Sequence, residues 1–223
     1  MVKKIVGTGV LLVLALALQA GVKMYTLKSP DGKVKLEVTA GQGIAYSLFY
    51  DGRLLLKPSR IALHTDLPEA DHWENIRITG TKQRHVSETV QAPFYRVKEF
   101  GIDCNELELR LNNGFSLLMR AYNDGMAYRF VAGRKGEMTV VEERAEFNFA
   151  DDFEAYIPYS TNPKDPWNMA FQNFYTKAPL TQYNTELPAF LPLTVDVGAV
   201  KLTLLESDLE AYPGMFVCGD GKT

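Results

Sequence analysis

Three carboxylates near the C-terminal end of the chain have the spacing that most suggests chemistry. Glu206, Asp208 and Glu210 lie in the stretch LLESDLEAYPGMFV, directly after the strand-like run VKLTLL. Glycoside hydrolysis uses two carboxylates about 5 to 9.5 Å apart, and calcium binds carboxylate oxygens but takes about six to eight ligands. Three neighbouring acids without Gly or Asn ligands beside them make a poor complete calcium site. Residue chemistry alone therefore favours a solvated acidic loop.

A second candidate is the Pro-, Asn- and aromatic-rich stretch over residues 159–186, in which strand patterning lapses. Its aromatic and amide side chains include Trp167, Asn168, Phe171, Gln172, Asn173, Phe174 and Tyr175. Such rings can stack on the apolar faces of sugars while the amides bind hydroxyl groups, or the loop can fold its own apolar cluster. Long loops without regular structure are uncommon unless they are functional. Both interpretations stay open at this point.

The other polar residues favour structural roles. His64, His72 and His85 are candidate metal ligands, but their spacing favours ordinary surface or packing histidines. Asp124 in AYNDGMAYRF is a candidate acid or base, yet Asn-Asp-Gly is what a tight turn between strands requires. Arg129 in the same string suits packing of its stem and surface pairing better than anion binding. Phosphate-loop, HExxH, nucleophile-elbow and EF-hand motifs do not occur in the sequence.

The elements that position these residues are predicted to be short strands. Residues 34–38, VKLEV, alternate apolar and charged side chains, as a half-buried strand does. Asp-Gly at 51–52 predicts a hairpin, and the Asn- and Gly-rich turns at 112–114 and 123–125 predict a three-stranded meander. A last hairpin is predicted to turn near 197–199. About a dozen such strands, with neither an amphipathic helix nor a repeat, predict one all-β domain built as a sandwich of two large antiparallel sheets.

Composition limits the partners and the compartment. The net charge of −3 at pH 7 argues against nucleic-acid binding. MVKK followed by IVGTGVLLVLALALQA has the layout of a secretory signal peptide over residues 1–20. This apolar run is shorter than the roughly 20 residues of a membrane span, so we expect no span and an exported protein, periplasmic or extracellular. Export permits a disulfide, and the sequence leaves open whether Cys104 and Cys218 pair or stay free.

Several strings together resemble a known family. SPDGKVKLEV, AYSLFYDGRLLL, AYNDGMAYRF and LPLTVDVGAVKLTLLESDLEAYPGMFV, in this order, resemble the N-terminal domain of glycoside hydrolase family 97. The resemblance covers residues 29–217. It implies an antiparallel β-super-sandwich of the galactose-mutarotase-like type over residues 24–223, packed on a catalytic (β/α)8 barrel that this chain does not contain.

The resemblance also implies a function. Members of the family are exported α-glucosidases or α-galactosidases that bind calcium, and their catalytic residues come from the barrel, so none is expected in this chain. One calcium ligand comes from the N-terminal domain and corresponds to Glu206, followed by the small residue Ser207. Asp208 and Glu210 are then ordinary loop acids. The family often has an acidic residue near the position of residues 172–173, where this chain has Gln-Asn, and any contact of that acid is in doubt here.

Three hypotheses follow from these patterns. In the first, the chain supports the barrel, contributes to the pocket wall for an α-linked oligosaccharide or glycoside, and helps to hold calcium that the barrel completes. Alone it is then inactive. In the second, it is a freestanding carbohydrate-binding module that uses the aromatic loop. A mutarotase-like enzyme is the weakest hypothesis, because it needs a His acid and a carboxylate base in one cleft.

Overall fold

The computed structural model describes residues 23–167, 173–210 and 212–223. The expected signal peptide at 1–20 lies outside the described residues and stays a prediction. In the described part of the chain, no helix is long and apolar enough to cross a membrane. Contacts group the chain into two compact units, Met1–Asn148 and Phe149–Thr223. A single super-sandwich domain over residues 24–223 stays a prediction.

The first sheet of the N-terminal unit has five antiparallel strands in the order β1-β2-β3-β4-β9. These strands are β1 (Lys23–Lys28), β2 (Val34–Gly41), β3 (Gly43–Tyr50), β4 (Arg53–Thr65) and β9 (Val140–Ala145). The predicted alternation is confirmed, since Val34, Leu36 and Val38 are buried and the residues between them are half-buried. The hairpin between β3 and β4 is also confirmed. Asp51 and Gly52 have φ values of 49° and 78°, as a type I′ turn requires.

The second sheet of this unit is a four-stranded antiparallel meander in the order β5-β6-β7-β8. Its strands are β5 (Ile78–Gln91), β6 (Glu99–Leu111), β7 (Phe115–Tyr122) and β8 (Gly125–Ala132). The meander predicted from the turns at 112–114 and 123–125 is confirmed. Strand β5 was missed, because nearly all of its side chains are exposed and the apolar alternation that reveals a strand is absent.

These two sheets pack against each other through β1 and β2 on one side and β6 and β7 on the other. Each sheet has one apolar face that must be covered, and a two-layer sandwich covers both. Fully buried side chains at alternate positions form this core, among them Leu36, Val38, Leu107, Leu109, Leu117 and Met119. Two aromatic rings of β8 extend this core. The ring centroid of Tyr128 lies 6.0 Å from that of Tyr46, and the ring centroid of Phe130 lies 5.2 Å from that of Trp73.

The C-terminal unit contains a smaller antiparallel sheet in the order β11-β10-β12-β13. Its elements are β10 (Glu154–Ile157), β11 (Thr176–Pro179), the 3₁₀ turn Leu180–Gln182, β12 (Leu193–Asp196) and β13 (Lys201–Leu204). The predicted last hairpin is confirmed, with Gly198 at φ 98° in its turn. The expectation that residues 159–186 lack regular structure is wrong in part, because β11 and the 3₁₀ turn fall inside that stretch. Short, half-exposed elements like these leave little apolar periodicity to detect.

The all-β prediction is confirmed. The described residues contain no α-helix and form three antiparallel sheets rather than the two that were predicted. The third sheet was not foreseen as separate, because its strands have only four residues each. The finer assignment, a galactose-mutarotase-like super-sandwich, stays a prediction.

Candidate functional site

Strand β13 positions the acidic loop. Leu204, its last residue, is buried and pairs with Leu193 of β12. Glu206 follows two residues later and is half-buried. Because β13 is fixed by its ladder to β12, the backbone that carries Glu206 leaves the sheet at a defined point. The sequence-based expectation that Glu206 lies just beyond a strand end is therefore confirmed.

The Glu206 carboxylate links the start of the acidic loop, residues 206–215, to its end. Its Oε2 accepts a hydrogen bond from the backbone N–H of Met215 at 2.7 Å. Such a bond from a backbone donor fixes the rotamer and direction of a carboxylate. Within the described residues, no partner is recorded for the other oxygen, Oε1. The loop thus presents one oriented carboxylate with one of its oxygens held.

The other two acids of the loop differ from Glu206. Asp208 has φ 64°, in the left-handed region that Asp tolerates better than most side chains. Both Asp208 and Glu210 are exposed. Glu206 is the half-buried acid of the sequence cluster, and its carboxylate is tied to the far side of the loop.

The far side of the loop is anchored to the rest of the unit. Val217 exchanges two backbone hydrogen bonds of 2.8 Å with the buried Ala189. The Tyr183 hydroxyl donates to the Val217 carbonyl at 2.8 Å, and burial raises the pKa of Tyr183, which keeps that donor protonated. Gly219 lies directly against the Tyr183 ring, because a Cβ there would be 2.4 Å from Cγ of that ring. Met215 is therefore held in place by its C-terminal neighbours.

The aromatic loop reaches the same segment. The Trp167 ring packs edge-on against Phe216, with 5.1 Å between centroids and an interplanar angle of 89°. Trp167 remains 59% exposed and Phe174 is 94% exposed. Since Phe216 follows Met215, the partner of Glu206, the aromatic and acidic loops meet through two consecutive residues. Sequence reasoning kept these two features apart, and no signal in the separate stretches indicated that they meet.

Other members of the aromatic loop have structural contacts or cannot be placed. Asn173 donates through Nδ2 to the Tyr159 carbonyl at 3.0 Å, and the Tyr175 hydroxyl donates to the Pro192 carbonyl at 3.3 Å. The predicted contributions of Asn168, Phe171 and Gln172 lie outside the described residues. Both interpretations of the loop keep some support: part of it folds on itself, and part of it stays exposed.

The remaining candidates lie elsewhere. His64 Nδ1 is 2.6 Å from Asp71 Oδ1, and His85 faces Asn105 and Asp103 at 3.0 and 3.2 Å. Within residues 23–167, 173–210 and 212–223, no three His, Cys, Asp or Glu side chains converge as a metal site would require. Each of these two histidines has its own local polar partners.

The Asn-Asp-Gly string is a turn, as its residue types indicated. Tyr122 pairs with Gly125 across the two-residue connection between β7 and β8. The side-chain oxygen of Asn123 accepts a hydrogen bond from the Asp31 backbone N–H at 3.0 Å, which ties this turn to the one before β2.

A buried carboxylate that the sequence did not single out lies on β6. Glu106 accepts hydrogen bonds from Arg84 Nε at 2.5 Å and from Arg120 Nε at 2.7 Å. Burial alone would raise the pKa of Glu106, but the two guanidinium groups outweigh it and hold the pKa below its ordinary value. Its alternation with Leu107 and Leu109 placed Glu106 on the polar face of the strand, and its partners come from β5 and β7, so nothing in the sequence indicated a buried ion pair.

Both cysteines are free thiols. Cys104 is buried on β6, and this burial raises the pKa of its thiol. Cys218 is exposed as a residue, but its sulfur is partly covered, which raises its pKa as well. A raised pKa keeps a thiol protonated and unreactive.

These features define an all-β chain of antiparallel sheets in which a strand-end carboxylate and an exposed tryptophan share one unit. Residues 27–223 match the glycosyl-hydrolase 97 N-terminal family, and the chain belongs to that family. It is 40% identical over 209 residues to a retaining alpha-galactosidase of Bacteroides thetaiotaomicron, covering 91% of this chain and 31% of that protein. It is 26% identical over 158 residues to a probable retaining alpha-galactosidase of Streptomyces bingchenggensis, covering 69% of this chain and 24% of that protein.

Solved structures are similar in fold. A beta-arabinopyranosidase matches with a TM-score of 0.68 and 22% identity, over 78% of this chain and 30% of that one. A glycoside hydrolase family 97 enzyme of a Pseudoalteromonas species, solved with panose, matches with a TM-score of 0.62 and 18% identity, over 77% and 26% of the two chains. The chain thus spans about a third or less of each of these proteins.

Proposed function

We propose that this chain is the N-terminal part of an exported α-glycosidase, in which it supports a catalytic (β/α)8 barrel, supplies Glu206 to a calcium ion and forms part of the pocket wall for an α-linked oligosaccharide. The observation that carries the proposal is the Glu206 carboxylate, oriented by the Met215 N–H at the end of β13. Membership of the family and the α-galactosidase activity named for two relatives support the reaction class.

The residues present fit one ligand of calcium rather than a whole site. A carboxylate is the ligand type that calcium prefers, and Oε1 of Glu206 has no recorded partner in the described part of the chain. Calcium takes about six to eight oxygens, of which one carboxylate supplies one or two. The described residues offer no further cluster of metal ligands beside it, so we assign the remaining ligands to the barrel and expect the isolated chain to bind calcium weakly.

Bound calcium would polarise a leaving group or position a water in such a site. The role of this chain's own residues is positional. Strand β13 sets the backbone of Glu206, the Met215 N–H sets its carboxylate, and the anchor at Val217 keeps that donor in place. No general acid, base or nucleophile is assigned to this chain.

Exposed apolar side chains of the same unit support the roles in the pocket wall and in barrel support. Trp167, Phe174, Leu205 and Leu209 are all exposed. Large apolar patches on a protein surface mark sites of interaction. We assign Trp167 to the substrate side, because its ring lies against Phe216 next to the Glu206 loop, and the two leucines beside Glu206 to contact with the barrel.

A freestanding carbohydrate-binding module is the second candidate. It is supported by Trp167, whose ring contacts Phe216 at an edge and is otherwise mostly exposed. In that case the chain alone binds an oligosaccharide, and binding is lost when Trp167 is replaced by Ala. In the first proposal, the chain alone neither binds appreciably nor turns over an aryl α-galactoside or α-glucoside.

Calcium titration tests the metal role. In a polypeptide that carries both this chain and the barrel, Glu206→Gln should weaken calcium binding at least about tenfold, because a charged ligand is lost. The matched control is Glu210→Gln, which removes the same charge from an exposed position of the same loop. Equal calcium affinity in the Glu206 variant and the wild type would refute the role, as would equal losses in both variants.

Export is tested independently. Expression of the complete sequence in a Gram-negative bacterium should give a protein in the periplasm or medium whose N-terminus lies just after Ala17 or Ala20. An uncleaved cytoplasmic protein would contradict the proposal of export and leave the calcium test unaffected.

A further inference from the structure

Strand β5 is a long and uncovered edge of the second sheet. It is the terminal strand in the order β5-β6-β7-β8, and it pairs with β6 on one side. Its 14 residues are almost all exposed, with Val86 as the buried exception. Among the described strands, none pairs with the side of its backbone that faces away from β6.

This edge lacks two of the devices that usually prevent edge pairing, short length and proline, although it carries charges and has one register irregularity between Ile78 and Gly80. Natural edge strands are kept very short, contain proline or bulges, or carry charges that repel another strand. The register between residues 80–91 of β5 and β6 is uninterrupted, and β5 contains no proline. The other edge strands, β1, β8, β9, β11 and β13, have six, eight, six, four and four residues.

The sequence of β5 is complementary to itself in the antiparallel direction. Suppose that one strand pairs with a second copy of itself about a two-fold axis. Two residues that face each other must then both have even numbers or both have odd numbers, because the face of the sheet and the direction of hydrogen bonding alternate along a strand. With Val86 on the axis, Val86 faces its own copy and Arg84 faces Glu88 on both sides. Each end of the pairing then contains an opposite-charge pair, which stabilises neighbouring strands.

The neighbouring registers are worse. With Arg84 on the axis, two guanidinium groups face each other, and like charges directly opposite are destabilising. With Ser87 on the axis, Arg84 faces Val90 and Val86 faces Glu88, so neither charge meets an opposite one. With His85 on the axis, Lys82 faces Glu88, but Val86 faces Arg84 and the two imidazoles meet.

We infer that this protein forms a homodimer in which β5 strands of two copies pair antiparallel about a two-fold axis at Val86, joining their four-stranded sheets edge to edge. Arg84 can bind two carboxylates at once. Its Nε donates to Glu106 of its own chain, and the remaining N–H groups of its half-exposed guanidinium are available to Glu88 of the other copy. The inference concerns the N-terminal unit and does not depend on the function proposed for Glu206.

The oligomeric state tests this inference directly. The mature chain should sediment as a dimer at micromolar concentrations. Glu88→Arg turns two attractive contacts into two repulsive ones, so the dissociation constant should rise at least about tenfold. Glu99→Arg makes the same charge change on the same hairpin, but on β6, and should leave the constant unchanged. Circular dichroism confirms that both variants are folded.

Cysteine cross-linking tests the register. In a background with Cys104→Ala and Cys218→Ser, Val86→Cys should form an intermolecular disulfide, because facing Cα atoms lie about 4.5 to 5.5 Å apart. His85→Cys should not, because its two copies would be about 8 Å apart, two residues out of register. Linking through position 85 alone would overturn the register. A monomer at all concentrations, or a dimer whose dissociation constant does not change in Glu88→Arg, would show that β5 does not pair with a second copy.

Discussion

Gly219 is the position where the smallest side-chain change should disturb the candidate site most. An alanine Cβ there would lie 2.4 Å from Cγ, 2.5 Å from Cδ1 and 2.8 Å from Cβ of Tyr183. These are atoms of the stem and ring base, so they cannot swing away as the end of a flexible chain can. Tyr183 is also 8% exposed and bonded to the Val217 carbonyl. Either the ring or the segment after Val217 has to move.

The expected loss follows from these two contacts. Overpacking a well-filled site costs about 1–3 kcal/mol, and loss of the hydrogen bond to Val217 costs about 1 kcal/mol more. We therefore expect Gly219→Ala to lower the free energy of unfolding of the C-terminal unit by about 2–4 kcal/mol. For a unit as short as Phe149–Thr223 each kcal/mol lowers Tm by about 4–8 °C, so the melting temperature of this unit should fall by roughly 10–30 °C.

Urea unfolding followed by circular dichroism and tryptophan fluorescence measures this loss. Trp167 is in the same unit and packs against Phe216, so its share of the emission follows the unfolding of this region, while Trp73 reports the N-terminal unit. Gly101→Ala is the matched control, because a Cβ at Gly101 would meet no heavy atom within 4 Å and its φ is not positive. It should change stability by less than about 0.5 kcal/mol. Equal unfolding midpoints for Gly219→Ala and Gly101→Ala would refute the steric argument.

Three further substitutions test other contacts by the same denaturation assay. Glu106→Gln should destabilise the protein by about 1–3 kcal/mol near pH 7, because Arg84 and Arg120 lose their charged acceptor. Since the folded pKa of Glu106 lies below its ordinary value of 4.5, that difference should be complete above about pH 4.5 and shrink as pH falls through the folded pKa; a constant difference down to pH 2 would contradict it. Gly52→Ala should cost about 1 kcal/mol through its φ of 78°, and an unchanged midpoint would exclude strain in this turn. Tyr159→Phe should cost about 1–2 kcal/mol, because the Asn184 N–H loses its acceptor at 2.7 Å, and no loss would mean that water replaces the hydroxyl.

Turn chemistry and alternation were sufficient to predict much of the fold. The hairpin at Asp51 and Gly52 follows from two residues that tolerate positive φ, and the meander follows from two Asn- and Gly-rich turns. Strand β5 was not predicted, because a strand with exposed side chains on both faces shows no period of two in its apolar residues. The short strand β11 was not predicted for a similar reason, since four half-exposed residues are too few to show apolar alternation.

The candidate site was predictable in one respect. The position of Glu206 just after a strand could be read from VKLTLLE, and its assignment as a calcium ligand came from the family resemblance and is still a proposal. Its bond to Met215 was not predictable, because a turn-forming string does not say which side chain its N–H groups will meet. The ion pair of Glu106 was likewise hidden, since its guanidinium partners come from two other strands.

By itself, the sequence determined the local structure of this protein where apolar alternation and turn residues are clear: the strands with a buried face, the turns that join them, and the acid that follows the last strand. These depend on residues adjacent in the chain, whose backbone preferences act over two to four positions. The tertiary structure decided which distant segments meet. The contact between Trp167 and Phe216 places the aromatic loop beside the segment that holds Glu206, and the contact between Tyr183 and Gly219 fixes that segment. Such contacts depend on packing in three dimensions, and no periodicity along the chain encodes them.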